Sequence, residues 1–155
     1  MKKTYFFILI LVLLLSVSCE QKADIEAERA AVKAVLDGYV ASIEDEDMEL
    51  YAKNVAHDPE MVNYGGFGGP IIGWDALKQV IENQNASLSE TKIKVNDMAI
   101  HVSENGKLAW ATCLWSLKAM MGENPIDLPV RCTWILEKRD GKWIIVHFHK
   151  SMAAG

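Results

Sequence analysis

The stretch that decides the fold is Val130–Ser151, which reads VRCTWILEKRDGKWIIVHFHKS. Two runs rich in β-branched and aromatic residues flank Asp140-Gly141, a dipeptide typical of tight hairpins because both of its residues accept a positive φ. With a two-residue turn at that point, Arg131 lies directly opposite Lys150. The sequence therefore predicts a terminal β-hairpin whose register assigns each side chain to one of two faces.

The predicted register divides the side chains of the last three strands between those faces. The first face carries Trp110, Thr112, Leu114, Arg131, Thr133, Ile135, Val146, Phe148 and Lys150. The second carries Cys113, Trp115, Cys132, Trp134, Trp143, Ile145, His147 and His149, with His147 opposite Trp134. A face with this much tryptophan is unlike a solvated surface, so we interpret it as core or as an interface between two copies.

Two cations stand opposite one another in this register. Like charges directly opposed destabilise a sheet, so Arg131 and Lys150 need a compensating group. With the threonine hydroxyls and aromatic side chains of the same face, they would suit a small carboxylate or another anion. The alternative is that both lie near the strand ends and reach solvent or pair with Asp127 and Glu123.

Residues 1–18 have the layout of an export signal. Lys2 and Lys3 precede an unbroken apolar run, and small residues follow before Cys19. The stretch LSVSC resembles the lipobox of bacterial lipoproteins, in which the cysteine carries the lipid; the alternative is ordinary cleavage beside an incidental Cys19. We expect a protein exported to the cell envelope of a bacterium, held at a membrane surface by lipidated Cys19 or free in the periplasm.

Composition restricts the partners and the domain count. The chain has 16 basic and 21 acidic residues and a net charge of −5, and loss of Lys2 and Lys3 would make it more acidic, which argues against nucleic acid. Residues 19–24 are read as a short tether and 25–155 as a single domain. No cysteine–histidine spacing of a metal site occurs, and we predict no cofactor. Cys113 and Cys132 are expected on adjacent strands, either bridged or as buried thiols.

The order of elements predicts the fold class. Apolar residues recur at three- and four-residue steps through Ile25–Ile43, which indicates a long amphipathic helix, and Asp47 can cap a second helix from Met48 to Val55. A short strand, a third helix and an antiparallel meander follow. The sequence therefore predicts an α+β fold, a curved antiparallel sheet wrapped as a cone around the long N-terminal helix.

This element order and the segment RDGKWIIVHFHKS resemble the nuclear transport factor 2-like superfamily, also called SnoaL-like. The segment is especially similar to the end of the association domain of calcium/calmodulin-dependent protein kinase II. The resemblance implies a cone-shaped α+β roll, usually dimeric, with a pocket between the sheet and the first helix. It also places a basic, pocket-lining residue at Lys150, which favours turning the Arg131 face inward.

The stretch GYVASIEDEDMELYAKNVAHDPEMVNY, residues 38–64, resembles ketosteroid isomerase, another member of the superfamily. The resemblance puts Tyr39 at the oxyanion-stabilising tyrosine and Asn63 at the general-base aspartate. An amide cannot transfer a proton at neutral pH, so the base is missing. Catalysis by the chain would then need another base, Asp58, Asp97 or His149, and no catalytic residue is assigned.

Three functions follow as expectations. The first is a small-molecule-binding, dimeric protein whose pocket takes a small, partly apolar anion without clear catalysis. The second is an isomerase- or dehydratase-type enzyme, and the third is a non-catalytic dimerisation or assembly module. The candidate ligand-binding residues are Arg131, Lys150, Thr133, Trp110, Thr112, Phe148, Tyr39, Asn63, Tyr64 and Trp74.

Overall fold

The computed structural model describes residues 23–152 of the 155-residue chain. The predictions that concern the leader, Cys19 and most of the tether lie outside the described residues. Among the residues described, no helix is both long and apolar enough to cross a membrane.

The two predicted N-terminal helices are confirmed, and carboxylate caps fix where each begins. Helix α1 spans Ile25–Glu44, and the Asp24 side chain accepts a hydrogen bond from the backbone N–H of Ala27 at 3.1 Å. Helix α2 spans Met48–Asn54, and Asp47 caps it through the N–H of Leu50 at 2.9 Å. The buried stripe of α1 is Val32, Leu36, Tyr39, Ser42 and Ile43.

Six strands and a third helix follow within residues 23–152. They are β1 (Val62–Tyr64), β2 (Pro70–Ile72), α3 (Gly73–Ser87), β3 (Ser89–Val102), β4 (Leu108–Met121), β5 (Asn124–Arg139) and β6 (Lys142–Ser151). The strands form one curved sheet in the order β2-β1-β6-β5-β4-β3, whose concave face packs on α1. The predicted α+β class is confirmed. Strand β5 begins at Asn124, so only Gly122 and Glu123 connect it to β4.

The terminal hairpin begins as predicted and then leaves the predicted register. Arg139 pairs with Lys142, and regular pairing continues to Leu136 opposite Ile145. The next pair is Ile135 with His147, so Val146 is an additional residue in β6. This is a β-bulge, which shifts every later pair by one position.

Beyond the bulge the predicted pairings are wrong. Cys132 pairs with Lys150, and Arg131 pairs with Ser151, so Arg131 and Lys150 are not opposed and lie on opposite faces of the sheet. Trp134 pairs with Phe148 rather than with His147.

The bulge has a hydrophobic cause. Strict alternation after buried Ile145 would point His147 into the core and Phe148 out, whereas the additional residue buries Phe148 to 2% exposure. Full burial of a phenylalanine side chain contributes about 1.5–3 kcal/mol, while an imidazole loses its hydration on burial. The concave face is therefore the face of Trp115, Trp134, Cys113 and Cys132, joined by Phe148 and Lys150.

Helix α1 runs along β6 from the hairpin turn towards the end of the strand. Near the turn, the Glu28 carboxylate accepts hydrogen bonds from the Trp143 indole at 2.8 Å and from the Lys138 ammonium at 2.5 Å. Eleven residues, or about 16 Å, further along the helix, Tyr39 reaches Phe148, with ring centroids 6.2 Å apart. The N-terminus of the helix and Lys150 thus lie at opposite ends of the cone.

The start of α3 depends on a glycine in close contact with a neighbouring loop. Gly73 has φ +78, and a Cβ placed on it would lie 2.7 Å from the carbonyl oxygen of Pro59. Its N–H also donates to the carbonyl of Met61 at 2.7 Å. Gly68 offers a comparison, because it has φ +82 and no atom within 4 Å of such a Cβ.

We expect Gly73→Ala to lower the free energy of unfolding by at least about 1 kcal/mol more than Gly68→Ala. Both substitutions carry the left-handed backbone penalty of about 1–2 kcal/mol, and only Gly73→Ala adds a clash with Pro59. Urea unfolding followed by tryptophan fluorescence measures both values. Equal losses for the two variants would contradict the close contact.

Candidate functional site

A lysine lies at the concave side of β6 among aromatic rings. Lys150 is half-buried, and its Nζ is 4.6 Å from the ring centroid of Trp115, 5.0 Å from that of Phe148 and 5.1 Å from that of Tyr39. The ring faces attract an ammonium electrostatically. Lys150 takes part in no salt bridge within residues 23–152, so these rings hold the cation without a carboxylate.

Several buried polar groups surround the same space without a hydrogen-bond partner in the described part of the chain. They are the hydroxyls of Tyr39 and Tyr51 and the indole N–H groups of Trp115 and Trp134. The Tyr39 ring centroid is 5.2 Å from that of Tyr51 and 6.1 Å from that of Trp134, so these groups form one cluster. Buried polar groups in native proteins almost always have partners, and each of these can donate. We call Lys150, Tyr39, Tyr51, Trp115 and Trp134 the donor cluster.

Burial sets the protonation states within the cluster. Loss of hydration raises the pKa of Tyr39, and it raises the pKa of Tyr51 well above its usual value, so both hydroxyls keep their protons at neutral pH. The pKa of Lys150 is lowered because burial disfavours its charge, although Tyr51 and the two cysteines partly offset this. An anion beside Lys150 would compensate the ammonium directly.

Asn63 lies next to this cluster and has a structural role. It is fully buried on β1, and its Oδ1 accepts a hydrogen bond from the backbone N–H of Phe148 at 2.8 Å, just beyond the bulge. Its Nδ2 has no partner among the described residues. The side chain therefore anchors the bulged end of β6, and its amide cannot accept a substrate proton as a general base.

The structure brings together only part of the predicted ligand-binding set. Lys150, Tyr39, Phe148 and Asn63 lie at the cluster, and Trp74 lies behind it, stacked on Tyr51 with centroids 6.4 Å apart. The other predicted residues lie on the convex face or at its edge: Arg131, Thr133, Trp110, Thr112 and Tyr64.

Placing the four residues of β4 and β5 inside the cone was wrong, and the bulge explains why. The guanidinium of Arg131 is exposed and donates to the carbonyl oxygen of Met152 at 2.8 Å. Trp110 is 44% exposed and stacks on His101 of the neighbouring strand, with ring centroids 5.1 Å apart. Thr133 lies opposite Thr112 on the same convex face.

Sequence reasoning missed Tyr51, Trp115 and Trp134 as members of the site. One signal points to the two tryptophans, namely the spacing of large apolar residues in β6, which is two from Trp143 to Ile145 and then three to Phe148. A step of three within an alternating strand indicates a bulge. With that bulge in the register, Trp134 faces Phe148 inside the cone.

None of the three alternative bases lies at the cluster. Asp58 forms a bidentate pair with the Arg139 guanidinium at 2.7 and 2.8 Å, and these hydrogen bonds lower the pKa of its carboxyl. Asp97 is exposed on β3, and His149 is exposed on the convex face beside Tyr64. The three bases named for an isomerase-type enzyme therefore lie away from the donor cluster.

Two cavities in the described part of the chain both lie away from the donor cluster. One, of about 350 Å³, lies between α1 and β3 around Arg29 and Ile100. The other, of about 410 Å³, lies at the far end of β4 around Met120 and Pro125. Around Lys150 the rings of Tyr39, Trp115 and Phe148 lie within about 5 Å of the ammonium, so a ligand beside it must be small.

The comparisons with known proteins agree with this architecture. The sequence model of a SnoaL-like domain matches residues 32–155. A nuclear transport factor 2-like superfamily protein from Salmonella enterica is similar in structure at 23% identity, with a TM-score of 0.76 over 84% of this chain and 94% of that one. Among curated proteins, none matches at a significant level.

Two other solved structures share the fold. A protein titled a putative dehydratase from Streptomyces avermitilis has a TM-score of 0.76 at 13% identity, over 84% of this chain and 99% of that one. A calcium/calmodulin-dependent protein kinase II association domain-like protein from Xanthomonas campestris has a TM-score of 0.67 at 20% identity, over 79% and 85%. At these identities the likeness establishes the fold alone.

The lowered pKa of Lys150 predicts how stability depends on pH. Between its folded-state pKa and the ordinary 10.5, the unfolded chain binds more protons than the folded protein, so stability rises with pH in that window. We expect the free energy of unfolding of the wild type, minus that of Lys150→Met, to increase as the pH approaches 10.5. Urea unfolding at a series of alkaline pH values measures it.

Lys142→Met is the matched control, because Lys142 is exposed on the same strand. A difference for Lys150→Met that stays flat across the alkaline range would contradict a desolvated amine.

Proposed function

The chain belongs to the SnoaL-like domain family, and within that fold we propose that it binds a small, partly apolar anion at the donor cluster. The observation that carries this proposal is that, among residues 23–152, one ammonium without a carboxylate partner and four buried donors without a hydrogen-bond partner converge in a single space. A carboxylate oxygen is an acceptor only, and hydrogen bonds from charged or strongly polar donors to it are the strong ones.

The walls of the cluster set the size and polarity of the ligand. Tyr39, Trp115 and Phe148 present rings to the Lys150 ammonium, so a bound anion would contact aromatic surface beyond its charged group. The packed interior favours a ligand of a few heavy atoms rather than a steroid-sized one. Short or aromatic monocarboxylates meet both requirements.

Catalysis is not part of this proposal. Proton transfer requires a group within reach of the ligand that titrates near the operating pH. The amide of Asn63 does not titrate in that range. Tyr39 and Tyr51 keep their protons and would act as hydrogen-bond donors to the ligand.

A second function, a non-catalytic assembly module, is favoured by one observation. Aromatic side chains fill the interior around Lys150, as expected where the cone serves as a folded core rather than as a pocket. Light scattering separates the two, because an assembly module forms higher oligomers whereas the binding protein forms a dimer at most.

We also propose export and lipidation at Cys19, on the strength of the leader sequence. Ala23 packs against Gly106, where an added Cβ would lie 2.7 Å from that of Ala23, near the turn end of the cone. Ala23 is four positions after Cys19 in the chain, a reach of at most about 14 Å. An anchored molecule would then hold the turn end at the membrane and present Lys150 to the aqueous side.

A homodimer through the convex face belongs to the same proposal. Trp110, Leu114 and Leu108 are exposed on this face at 44%, 46% and 42%. Neighbouring exposed apolar side chains on one face of a long strand are typical of an interface between copies.

Substitution of Lys150 tests ligand binding, with Arg131 as the matched control. We expect benzoate to bind the wild type and Arg131→Met equally and Lys150→Met at least about tenfold more weakly, a loss of about 1.4 kcal/mol. Benzamide, which has the same ring without the charge, should not bind. Calorimetry, with the fluorescence of Trp115 and Trp134 as a second signal, measures these affinities.

Equal affinity of benzoate for the wild type and Lys150→Met would refute the site, as would equal binding of benzamide. A screen extended to acetate, butyrate and phenylacetate covers the size range. If none of these anions binds the wild type, the assembly function is favoured instead.

The dimer is tested by charge placed on the convex face. We expect Trp110→Lys to halve the molar mass measured by light scattering, because two introduced cations would face each other across the interface. Val80→Lys, at an exposed apolar position of α3, should leave the mass unchanged. A monomeric wild type, or a dimer that survives Trp110→Lys, would contradict this interface.

A further inference from the structure

Two thiols face each other inside the cone. Cys113 of β4 and Cys132 of β5 are direct partners across the antiparallel pair. Both side chains are unbridged and buried, with 4% and 3% exposure. Their side chains therefore line the concave face next to the donor cluster. The ligand binding proposed above does not use these thiols.

The backbone places the pair close to bonding distance. Directly opposed residues of an antiparallel sheet have Cβ atoms about 4.5–5.5 Å apart, and a disulfide needs about 3.5–4.5 Å. An approach of about 1 Å by the two strands is therefore sufficient to form the bond. A bridge formed under such strain is reduced more readily than a relaxed structural disulfide.

The surroundings of the two sulfurs differ. The hydrogen bond with Cys132 lowers the pKa of Cys113, and the Trp115 indole and the Lys150 ammonium act in the same direction. The same thiol–thiol bond and burial raise the pKa of Cys132. Tyr39 and Tyr51, the other titratable groups facing this space, remain neutral. These directions make Cys113 the candidate nucleophile and Cys132 the candidate proton-bearing partner.

We propose that Cys113 and Cys132 form a hydroperoxide-sensitive thiol pair that closes to a cross-strand disulfide inside the cone. Hydrogen peroxide is uncharged and close to water in size, so the proposal requires only small side-chain movements beside half-buried Lys150 for it to reach the thiols. The cluster of opposed thiols next to an ammonium carries this inference, which does not depend on anion binding or on where the chain resides.

The reaction balances in two steps. The Cys113 thiolate attacks one oxygen of hydrogen peroxide, the O–O bond breaks, and the released hydroxide takes a proton to leave as water, so that Cys113 becomes a sulfenic acid. The Cys132 sulfur then attacks the Cys113 sulfur, and the sulfenic hydroxyl leaves as a second water with the Cys132 proton. Two thiols are oxidised by two electrons, and one peroxide is reduced to two waters.

Mass spectrometry of the full-length, folded protein tests this directly. Trypsin cuts after Lys118 and Arg131, so the two cysteines fall in different peptides. After hydrogen peroxide treatment and thiol blocking, we expect a non-reducing digest to contain the Cys113 and Cys132 peptides joined, with the loss of two hydrogen atoms. Dithiothreitol should separate them again.

Two variants resolve the order of the steps. In Cys132→Ser the Cys113 sulfenic acid should persist and be captured by dimedone, whereas in Cys113→Ser dimedone labelling of Cys132 should be at least about tenfold lower. Circular dichroism checks that each variant folds, and the wild-type digest decides the proposal if either does not.

Three results would overturn the proposal: both thiols fully blocked after peroxide, bridges formed only between molecules or through Cys19, or Cys113 oxidised to sulfonic acid without a bridge. Each of these would show that the opposed thiols do not act as a pair.

Discussion

The β-bulge at Val146 is the constraint on which the rest of this structure depends. It turns Phe148 and Lys150 to the concave side of the sheet, where Trp115, Trp134 and Tyr39 already lie. The same step moves both histidines of β6 to the other side. Asn63 holds the bulged segment through its bond to the backbone of Phe148, so the short strand β1 fixes the geometry of the last strand. The donor cluster is a consequence of this single additional residue.

Local sequence patterns determine the helices, strands and turns, whereas the site depends on the register in which strands pair. The apolar stripe of α1, the Asp47 cap and the Asp140-Gly141 turn each act over a few residues, and all three lie where the sequence predicts them. Register is different, because a one-residue slip exchanges the two faces of a strand at no local cost. Lys150 was predicted to face inward and does, but Arg131 was predicted beside it and lies on the opposite face.

A lysine surrounded by aromatic side chains lowers the free energy of unfolding of this protein. Burial disfavours the ammonium, and contacts with three ring faces offset only part of that loss. A leucine or methionine at this position would pack without the penalty. The hydroxyls and indoles around Lys150, which have no partner within residues 23–152, destabilise the folded state further. Their gathering in one space is the reason for proposing a binding site there.

The protonation of Lys150 tests this account most directly. Selective ¹³C labelling of lysine Cε allows its titration to be followed by NMR with and without saturating benzoate. An anion in contact with the ammonium favours the charged form, so the account predicts that the pKa of Lys150 rises from its lowered value when benzoate binds. An identical titration of Lys150 with and without benzoate would contradict it.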